Sequence, residues 1–336
     1  MSDTPPEIPA AKGRPPAIEV QNLHRHFGSL KAVDGVSFSV EPGQVVGFVG
    51  ANGAGKTTTM RIIATLDYPN RGMVKVSGID VVQYPALVRH RIGWMPDSFG
   101  TYDNMTVVEY LDFFARALGF KGAEREERVR DVMDFTDLTT LADRLINKLS
   151  KGMGQRLCLG RALIHDPDVL ILDEPAAGLD PKARVELKHL IRILADDGKT
   201  VFISSHILSE LGEMCDSLLF INRGRVIHHG SAESLKHTTS GSTLFDVQTA
   251  GDPEKIAEWA LMSPHVTLKE TRKRGARIEI DSTEPEVIAG VLRRMVNEGI
   301  PVVEFHREER KLEDAFIEIL GEMEKGEGAG PVVGNQ

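Results

Sequence analysis

Residues 44–57 read Gln-Val-Val-Gly-Phe-Val-Gly-Ala-Asn-Gly-Ala-Gly-Lys-Thr. The apolar run is typical of a buried strand, and the residues after it match the G-x-x-x-x-G-K-[ST] pattern of a phosphate-binding loop. Glycines allow successive backbone N–H groups to turn towards phosphate oxygens, and the start of a helix adds the positive end of its dipole. We therefore predict a strand, a loop that binds nucleotide phosphates, and a helix that begins at Lys56.

The predicted loop gives its polar residues distinct roles. Lys56 supplies a positive charge to the outer phosphates, and the Thr57 hydroxyl can ligate Mg²⁺. The alternative is a glycine-rich turn that binds nothing, and it is disfavoured because Lys56 and Thr57 are both in register with the pattern. The residues expected to contact ATP here are Gly50, Ala51, Asn52, Gly53, Ala54, Gly55, Lys56, Thr57 and Thr58.

A second apolar run, Val169-Leu-Ile-Leu172, ends in two carboxylates. In a parallel sheet, ligands gather at the carboxyl ends of the strands, so we expect Asp173 to lie near the Mg²⁺ ion. Glu174 follows directly and is placed to orient or deprotonate an attacking water. Such a pair often marks no more than the end of a strand, but a phosphate-binding loop upstream favours the functional interpretation.

The alternation of strands and helices predicts an α/β fold with a mainly parallel sheet. Asp180 and Pro181 begin a helix that Gly198 ends, and a further strand covers Thr200–Ser204. After about Ser240 the order becomes βαββαβ, which is typical of a small α+β ferredoxin-like domain, with a closing helix at Leu312–Leu320. The predicted divisions are a tail at 1–16, an α/β domain at 17–239 with a helical insert at about 98–150, a second domain at 243–321, and a tail at 322–336.

Composition narrows the class of protein. The formal net charge of −9 argues against a free-standing nucleic-acid binder, so we expect no nucleic-acid partner. No run approaches the roughly 18–20 apolar residues that span a bilayer, which predicts a cytoplasmic chain that reaches a membrane only through a partner. The pairs His24/His26 and His228/His229 are too few to close a metal site without distant partners.

Residues 17–235 resemble the ATPase subunits of ABC transporters, which are P-loop NTPases. Leu149-Ser-Lys-Gly-Met-Gly-Gln-Arg156 is similar to the signature motif of that family, and Ala177-Gly-Leu-Asp180 is similar to its D-loop. The resemblance implies a sandwich dimer in which Ser150, Gly152 and Asp180 act on ATP held by the other subunit. Either two copies of this chain or this chain and a relative would form the dimer.

The resemblance also implies further site residues. His206 matches the switch histidine that senses the outer phosphate and completes a predicted catalytic set with Lys56 and Glu174. Phe27 stands where the family stacks an aromatic ring on adenine, and Val33 is expected to flank the base.

Several positions depart from the family pattern. Lys151 and Met153 replace the usual glycine and glutamine of the signature, and Asp97 replaces the Q-loop glutamine. Asp97 can still accept a hydrogen bond from metal-bound water, so we include it with Thr57 and Asp173 in the predicted metal site. These departures bear on the coupling between ATP use and motion.

The second domain resembles the accessory domain of exporter ATPases, and Leu312-Glu-Asp-Ala-Phe316 is similar to a motif that closes many such chains. It would serve dimer contact or regulation, or it would be a packed appendage. One basic segment could meet phospholipid or nucleic acid, although a solvated turn is favoured. This segment contains Lys269, Arg272, Lys273, Arg274 and Arg277.

Three functional hypotheses follow. The first is an ATPase that powers transport, with export favoured, and that sits at the cytoplasmic face of a membrane on a separate integral-membrane permease. The second is a soluble ABC-type ATPase that acts on nucleic acid or ribosomes; such proteins usually carry a coiled coil, zinc-binding cysteines or two ATPase units. The third, a non-catalytic nucleotide sensor, is disfavoured by the presence of Glu174 and His206.

Overall fold

The computed structural model describes residues 15–98, 100, 102, 104–212, 214–231, 242–308, 312 and 316. The chain divides into two compact units, Met1–Ser231 and Ala232–Gln336. Most of the predicted N-terminal tail, the predicted tail at 322–336 and all but two positions of the predicted closing helix lie outside the described residues. So does the boundary predicted between 239 and 243, whose position stays a prediction.

The strands of the first unit follow one another along the chain. They are β1 (Ile18–Phe27), β2 (Leu30–Val40), β3 (Val45–Val49), β4 (Arg71–Val76), β5 (Ile79–Asp80), β6 (Ile92–Met95), β7 (Val169–Leu172), β8 (Thr200–Ser205), β9 (Ser217–Asn222) and β10 (Arg225–Gly230).

The central sheet has the order β10-β9-β3-β8-β7-β6. All neighbouring pairs from β9 to β6 are parallel, and only β10 runs antiparallel to its neighbour. Every residue of β3, β7 and β8 is buried, as expected for a parallel sheet that is covered on both faces. The predicted mainly parallel sheet is therefore present.

A second, antiparallel sheet has the order β2-β1-β4-β5. Apolar alternation over Ala17–Gln21 and Val36–Val40 indicates only parts of β1 and β2, and no local pattern in the sequence indicates this sheet. Stacked aromatic rings connect it to the central sheet: Phe38 of β2 lies 5.5 Å from Phe202 of β8, and Phe202 lies 5.1 Å from Phe48 of β3. The hairpin β1–β2 is thus anchored beside the strand that leads into the phosphate-binding loop.

The helices of the first unit connect these strands. They are α1 (Lys56–Ile63), α2 (Pro85–Arg89), α3 (Val107–Ala117), α4 (Gly122–Phe135), α5 (Lys151–Leu163), α6 (Pro181–Asp196) and α7 (Leu208–Gly212).

Local signals explain where the longer helices begin. The Thr106 hydroxyl and the Glu109 carboxylate form a capping box at the start of α3, which together with α4 occupies the predicted helical insert. The Asp180 carboxylate accepts a hydrogen bond from the Ala183 N–H, and Pro181 occupies the first helical position of α6, as predicted.

The second unit has the predicted element order βαββαβ. Its elements are β11 (Thr243–Thr249), α8 (Pro253–Met262), β12 (Val266–Arg272), β13 (Gly275–Ile280), α9 (Pro285–Asn297) and β14 (Val302–Arg307). The sheet order β12-β13-β11-β14 is that of a split βαβ domain, and all of its pairs are antiparallel. Its core contains Ile278 and Ile280 of β13 together with Val291 and Met295 of α9.

Candidate functional site

The predicted site residues follow four strands that are neighbours in the central sheet, in the order β3-β8-β7-β6. The phosphate-binding loop follows β3, His206 follows β8, Asp173 and Glu174 follow β7, and Asp97 follows β6. Because these strands are parallel, their carboxyl ends lie at one edge of the sheet, and ligands bind at such an edge. Residues far apart in the sequence are therefore brought together.

The glycines of the phosphate-binding loop permit close backbone contacts. Gly55 has φ of 109°, and a Cβ atom there would lie 2.4 Å from the carbonyl oxygen of Ala32. A Cβ atom at Gly50 would lie 2.4 Å from the carbonyl oxygen of Ile221. A side chain at either position would displace backbone, so the shape of the loop depends on glycine.

Helix α1 begins without a capping side chain and has no acidic residue in its first turn. Its first N–H groups are consequently available to an anion, in contrast to those of the capped helix α6. Of the loop residues before the helix, Ala51, Asn52 and Gly53 are exposed and Ala54 is buried. Within the helix Thr57 is exposed and Thr58 is half-buried.

Lys56 is a buried cation with 6% of its surface exposed. Its Nζ donates to the carbonyl oxygen of Gly50 at 2.6 Å and lies 3.3 Å from Oε1 of Glu174. Burying a charge is costly unless partners compensate it, and these partners hold the ammonium group at the mouth of the loop. A triphosphate would offer it a stronger counter-charge.

Asp173 is 1% exposed, and its Oδ1 accepts a hydrogen bond from the Ser204 hydroxyl at 2.7 Å. Burial raises the pKa of Asp173, hydrogen bonds from Ser204 and Thr57 lower it, and the charges of Asp97 and Glu174 raise it further. Thr57 and Asp97 thus both lie near the Asp173 carboxylate, as the predicted metal site requires.

These groups fit a magnesium ion. Mg²⁺ prefers hard oxygen ligands. A buried carboxylate beside a second carboxylate is poorly stabilised as an anion, and a nearby cation stabilises its ionised form. Thr57, Asp97 and Asp173 provide only oxygen atoms. They are the residues that would hold the ion.

Glu174 connects the two halves of the site. Its Oε2 lies 2.8 Å from Nδ1 of His206, its Oε1 faces Lys56, and its backbone N–H donates to the Ser204 hydroxyl at 2.8 Å. Glu174 also has φ of 47°, a left-handed conformation that is uncommon outside glycine. Strained backbone of this kind is concentrated at functional sites.

Ser204 contributes to the site, although no motif in the sequence marks it as a site residue. Its hydroxyl donates to the Asp173 carboxylate and accepts from the Glu174 backbone, so it positions both acidic residues. The available signal was a polar residue near the end of a buried strand, two positions before His206. Its partners depend on β8 lying beside β7, which the sequence did not reveal.

Phe27 and Val33 lie on the hairpin β1–β2. Phe27 is 48% exposed, and the Arg25 guanidinium carbon lies 4.5 Å from the centroid of its ring. A ring covered by a cation on one face can still stack a base on the other. Val33 has no exposed surface, so its predicted contact with the base would require local movement and stays a prediction.

The residues predicted to act on a second subunit form a separate cluster. The Ser150 hydroxyl caps α5 by accepting from the Met153 N–H, as Asp180 caps α6. A Cβ atom at Gly152 would lie 3.0 Å from the Ala183 side chain, so the starts of α5 and α6 are in contact. Ser150 and Asp180 are both exposed. Their caps are consistent with the sequence analysis, and their action in trans stays a prediction.

Comparison with known proteins is consistent with this geometry. The family model described as ABC transporter matches residues 33–177. The chain is 42% identical over 216 residues to the ABC transporter ATP-binding protein NatA of Bacillus subtilis, and the match covers 64% of this chain and 88% of NatA. It is 33% identical over 310 residues to the Nod factor export ATP-binding protein I of Ralstonia nicotianae, which covers 92% of this chain and 95% of that protein.

Solved structures of ATP-binding proteins of ABC transporters are also similar to this chain. The structure of an ATP-binding subunit of an ABC transporter superposes with a TM-score of 0.60 and 30% identity, over 66% of this chain and 92% of that one. The dimeric, post-hydrolysis state of the ATP-binding cassette MJ0796 with ADP and Pi has a TM-score of 0.58 and 25% identity, over 64% and 98%. These relatives favour the transport ATPase over the soluble ATPase hypothesis. No helix within the described residues is long and apolar enough to cross a membrane.

Proposed function

The chain belongs to the ATP-binding proteins of ABC transporters and is an ATPase, and from this premise we propose that it powers export across a membrane with a separate permease subunit. The observation that most directly supports the ATP hydrolysis in this proposal is the convergence of Lys56, Asp173, Glu174 and His206 at the ends of neighbouring parallel strands. Phosphoryl transfer to water depends mainly on positioning and on neutralisation of charge. This arrangement offers both.

Each residue has a role that follows from its contacts. Lys56 leaves its carbonyl and carboxylate partners to bind the outer phosphates, while the N–H groups at the start of α1 hold the phosphate oxygens. Thr57, Asp97 and Asp173 would hold Mg²⁺, which would supply positive charge to neutralise the phosphates. Release of the Lys56 contact leaves Oε1 of Glu174 available to a water molecule.

Glu174 is the general base in this proposal. Its carboxylate accepts the proton of the attacking water, and His206 and Ser204 fix its orientation through the side chain and the backbone. His206 is 46% exposed, so it can also contact the outer phosphate. When that phosphate is lost after hydrolysis, His206 loses a contact, so the position of His206 depends on whether ATP or ADP is bound.

The complete site is proposed to contain two subunits. Ser150 and Gly152 of a second copy would approach the phosphates from the start of α5, and Asp180 would connect the two sites. The dimeric cassette among the structural relatives supports this arrangement. A homodimer is the simplest arrangement, because this chain carries both the phosphate-binding loop and the residues Ser150 and Gly152 that would act on the other subunit.

Export is supported by the relatives that match across both units. Nod factor export ATP-binding proteins cover 90% or more of this chain in several species. We propose that the permease contacts the helical insert and holds the chain at the cytoplasmic face of the membrane.

The decisive variant is Glu174→Gln, which keeps the shape of the side chain and removes the base. We expect it to bind ATP, to lose about 10²-fold or more in turnover, and to accumulate a dimer with ATP. Phosphate release and analytical ultracentrifugation measure these effects, with Glu126→Gln as a matched control because Glu126 is 68% exposed. Full turnover in Glu174→Gln would remove Glu174 from this role.

Capture of the permease tests the transport step. The Glu174→Gln variant, loaded with ATP in detergent-solubilised membranes, should retain an integral-membrane protein that the ATP-free variant retains less well. Retention of nucleic acid or ribosomes in a salt-sensitive manner would favour the soluble ATPase instead.

A further inference from the structure

The hairpin β1–β2 carries a cluster of possible metal ligands that the ATPase site does not use. His24 and His26 lie on β1, and Asp34 lies on β2 directly opposite His24. One ligand atom from each of the three lies within 4.8 Å of the other two. We call these three residues the hairpin cluster.

The alternation of a strand separates this cluster from the nucleotide face. Residues two apart share a face of a regular strand, and although the β1–β2 register shifts between Arg25 and His26, the contacts still group His24 with His26 and Arg25 with Phe27. Arg25 accordingly covers the ring of Phe27, while the ring of His24 lies 6.0 Å from that of His26. The hairpin cluster is therefore distinct from the predicted adenine contact.

The hydrogen bonds of His24 leave one nitrogen facing a carboxylate. Nε2 lies 3.0 Å from Oδ1 of Asn22, and Nδ1 lies 3.3 Å from Oδ1 of Asp34. When Nε2–H donates to Asn22, Nδ1 of the neutral ring carries a lone pair that is aimed at a negative oxygen. A cation between these two atoms removes the repulsion.

A second observation points to a metal ion rather than a proton at this position. Nε2 of His26 is buried and has no hydrogen-bond partner among the described residues. A proton shared by His24 and Asp34 would leave this nitrogen unsatisfied. A metal ion bound by all three side chains can use both imidazoles.

We propose that the hairpin cluster binds a Zn²⁺-type transition-metal ion through His24, His26 and Asp34. Zn–N and Zn–O bonds of about 2.0–2.2 Å place tetrahedral ligand atoms ~3.4 Å apart. The 3.3 Å separation between Nδ1 of His24 and Oδ1 of Asp34 is already close to this value. The His26 ligand atom lies within 4.8 Å of the other two, so its distances to them must shorten by at most about 1.4 Å, and water would fill the fourth position.

The ligand set selects the class of metal. Imidazole nitrogen suits Zn²⁺, Cu²⁺ and Ni²⁺, whereas Mg²⁺ and Ca²⁺ prefer oxygen ligands alone. The Asn22 contact fixes the orientation of His24, as outer-shell partners of metal-bound histidines do. The hairpin cluster and the predicted magnesium site therefore take different ions.

Arg225 opposes the bound cation. Its guanidinium donates to Oδ2 of Asp34 at 2.9 Å and leaves Oδ1 facing His24. The guanidinium lowers the negative potential that a metal ion would experience. Removal of this charge should strengthen metal binding, although it removes a contact of the hairpin.

The test is titration of the full chain with Zn²⁺ in excess Mg²⁺ and without nucleotide, followed by isothermal calorimetry. We expect about one Zn²⁺ per chain, a loss of at least about tenfold in affinity for His24→Gln and His26→Gln, and a gain for Arg225→Gln. His90→Gln is the matched control, because His90 is exposed and lies outside the hairpin cluster. Visible absorption of bound Co²⁺ reports the ligand geometry independently.

Fold is checked in each variant by circular dichroism and by the melting temperature. Zn²⁺ affinity that is unchanged in both histidine variants would overturn the proposal, as would the absence of Zn²⁺ binding. A fall in affinity for Arg225→Gln would contradict it as well. The Arg225 variant keeps the proposal testable if a histidine variant fails to fold, because all three ligands remain present.

Discussion

The two units of the chain both pack helices against a sheet, yet their charged residues lie in different environments. In the first unit Lys56 and Asp173 are nearly inaccessible to water, and both face one edge of a parallel sheet. In the second unit the cations of the antiparallel sheet keep solvent access: Arg272 is 36% exposed and pairs with Asp246 at 3.0 Å, and Lys269 is 44% exposed and pairs with Glu279 at 2.7 Å.

This difference in exposure distinguishes charged residues that serve the nucleotide site from charged residues that only pair at the surface. Buried charge costs several kcal/mol per ion, so it persists where a substrate or ion compensates it. Exposed ion pairs contribute roughly 0–1 kcal/mol and need no such explanation. Ion pairs also engage Arg272, Lys269 and Arg277 of the basic segment, which favours the solvated turn over a lipid or nucleic-acid site.

Lys56→Ala should give the largest effect, because it removes the buried cation that distinguishes the first unit. We expect turnover to fall by about 10²-fold or more and MgATP affinity to fall as well, because the loop loses its charged contact to the outer phosphates. Phosphate release and titration with a fluorescent ATP analogue measure the two effects. Lys121→Ala, at an exposed position, is the control. Unchanged affinity and turnover in Lys56→Ala would show that the buried cation has no part in nucleotide binding.

Ser204→Ala tests whether the second layer of the site matters. We expect about a 10–100-fold loss of turnover, because Asp173 loses a donor and the Glu174 backbone loses an acceptor. The Ser204 hydrogen bond lowers the pKa of Asp173, so its removal should shift the acid limb of Mg²⁺-dependent ATP binding to higher pH. Ser39→Ala, on an exposed position of β2, should shift neither property. A lower turnover without a shift of the acid limb would mean a purely structural role.

Asp173→Asn tests the cost of the buried charge. Burial raises the pKa of Asp173, so between the ordinary value of 3.8 and the raised value the folded state binds more protons than the unfolded state. The free energy of unfolding therefore decreases as pH rises through that window, and the penalty is fully present above it. Asparagine does not ionise, so without nucleotide the variant should melt at a higher temperature than the wild type at pH 7.5.

The advantage of Asp173→Asn should shrink on acidification through the same window, and Mg²⁺ with ATP should stabilise the wild type more than the variant. Scanning fluorimetry over a pH series measures both trends. Asp131→Asn, at an exposed position, is the control. A variant that melts below the wild type at pH 7.5 would mean that the carboxylate stabilises the nucleotide-free fold.

Arg272→Gln should give the smallest effect. Arg272 keeps solvent access although its partners Asp246 and Glu308 are partly buried, so we expect the free energy of unfolding to change by about 1 kcal/mol or less and ATP turnover to remain the same. Urea unfolding and phosphate release measure these quantities. A large loss of turnover would mean that the second unit contributes to the chemistry and that the contrast between the units is wrong.

Local signals in the sequence predicted the elements that form the site. The strand before Gly50, the strand Val169–Leu172 and the helix that starts at Pro181 all appear where the pattern placed them. These predictions succeeded because apolar runs, glycines and caps act within a few residues of one another. Local signals did not predict the antiparallel sheet, because β4 and β5 are short and carry charged residues.

Contacts between residues that are far apart in the sequence could not be predicted from such local signals. The chemistry is identified by the types and spacing of phosphate-binding glycines, a lysine and a pair of carboxylates, so these motifs were enough to predict an ATPase. The contact of Lys56 with Glu174, the bridge from Ser204 to Asp173, and the approach of His24 to Asp34 depend on which strands pair and in which register. Strand order and register arise from packing of the whole unit, and residues without a shared motif meet only through that packing.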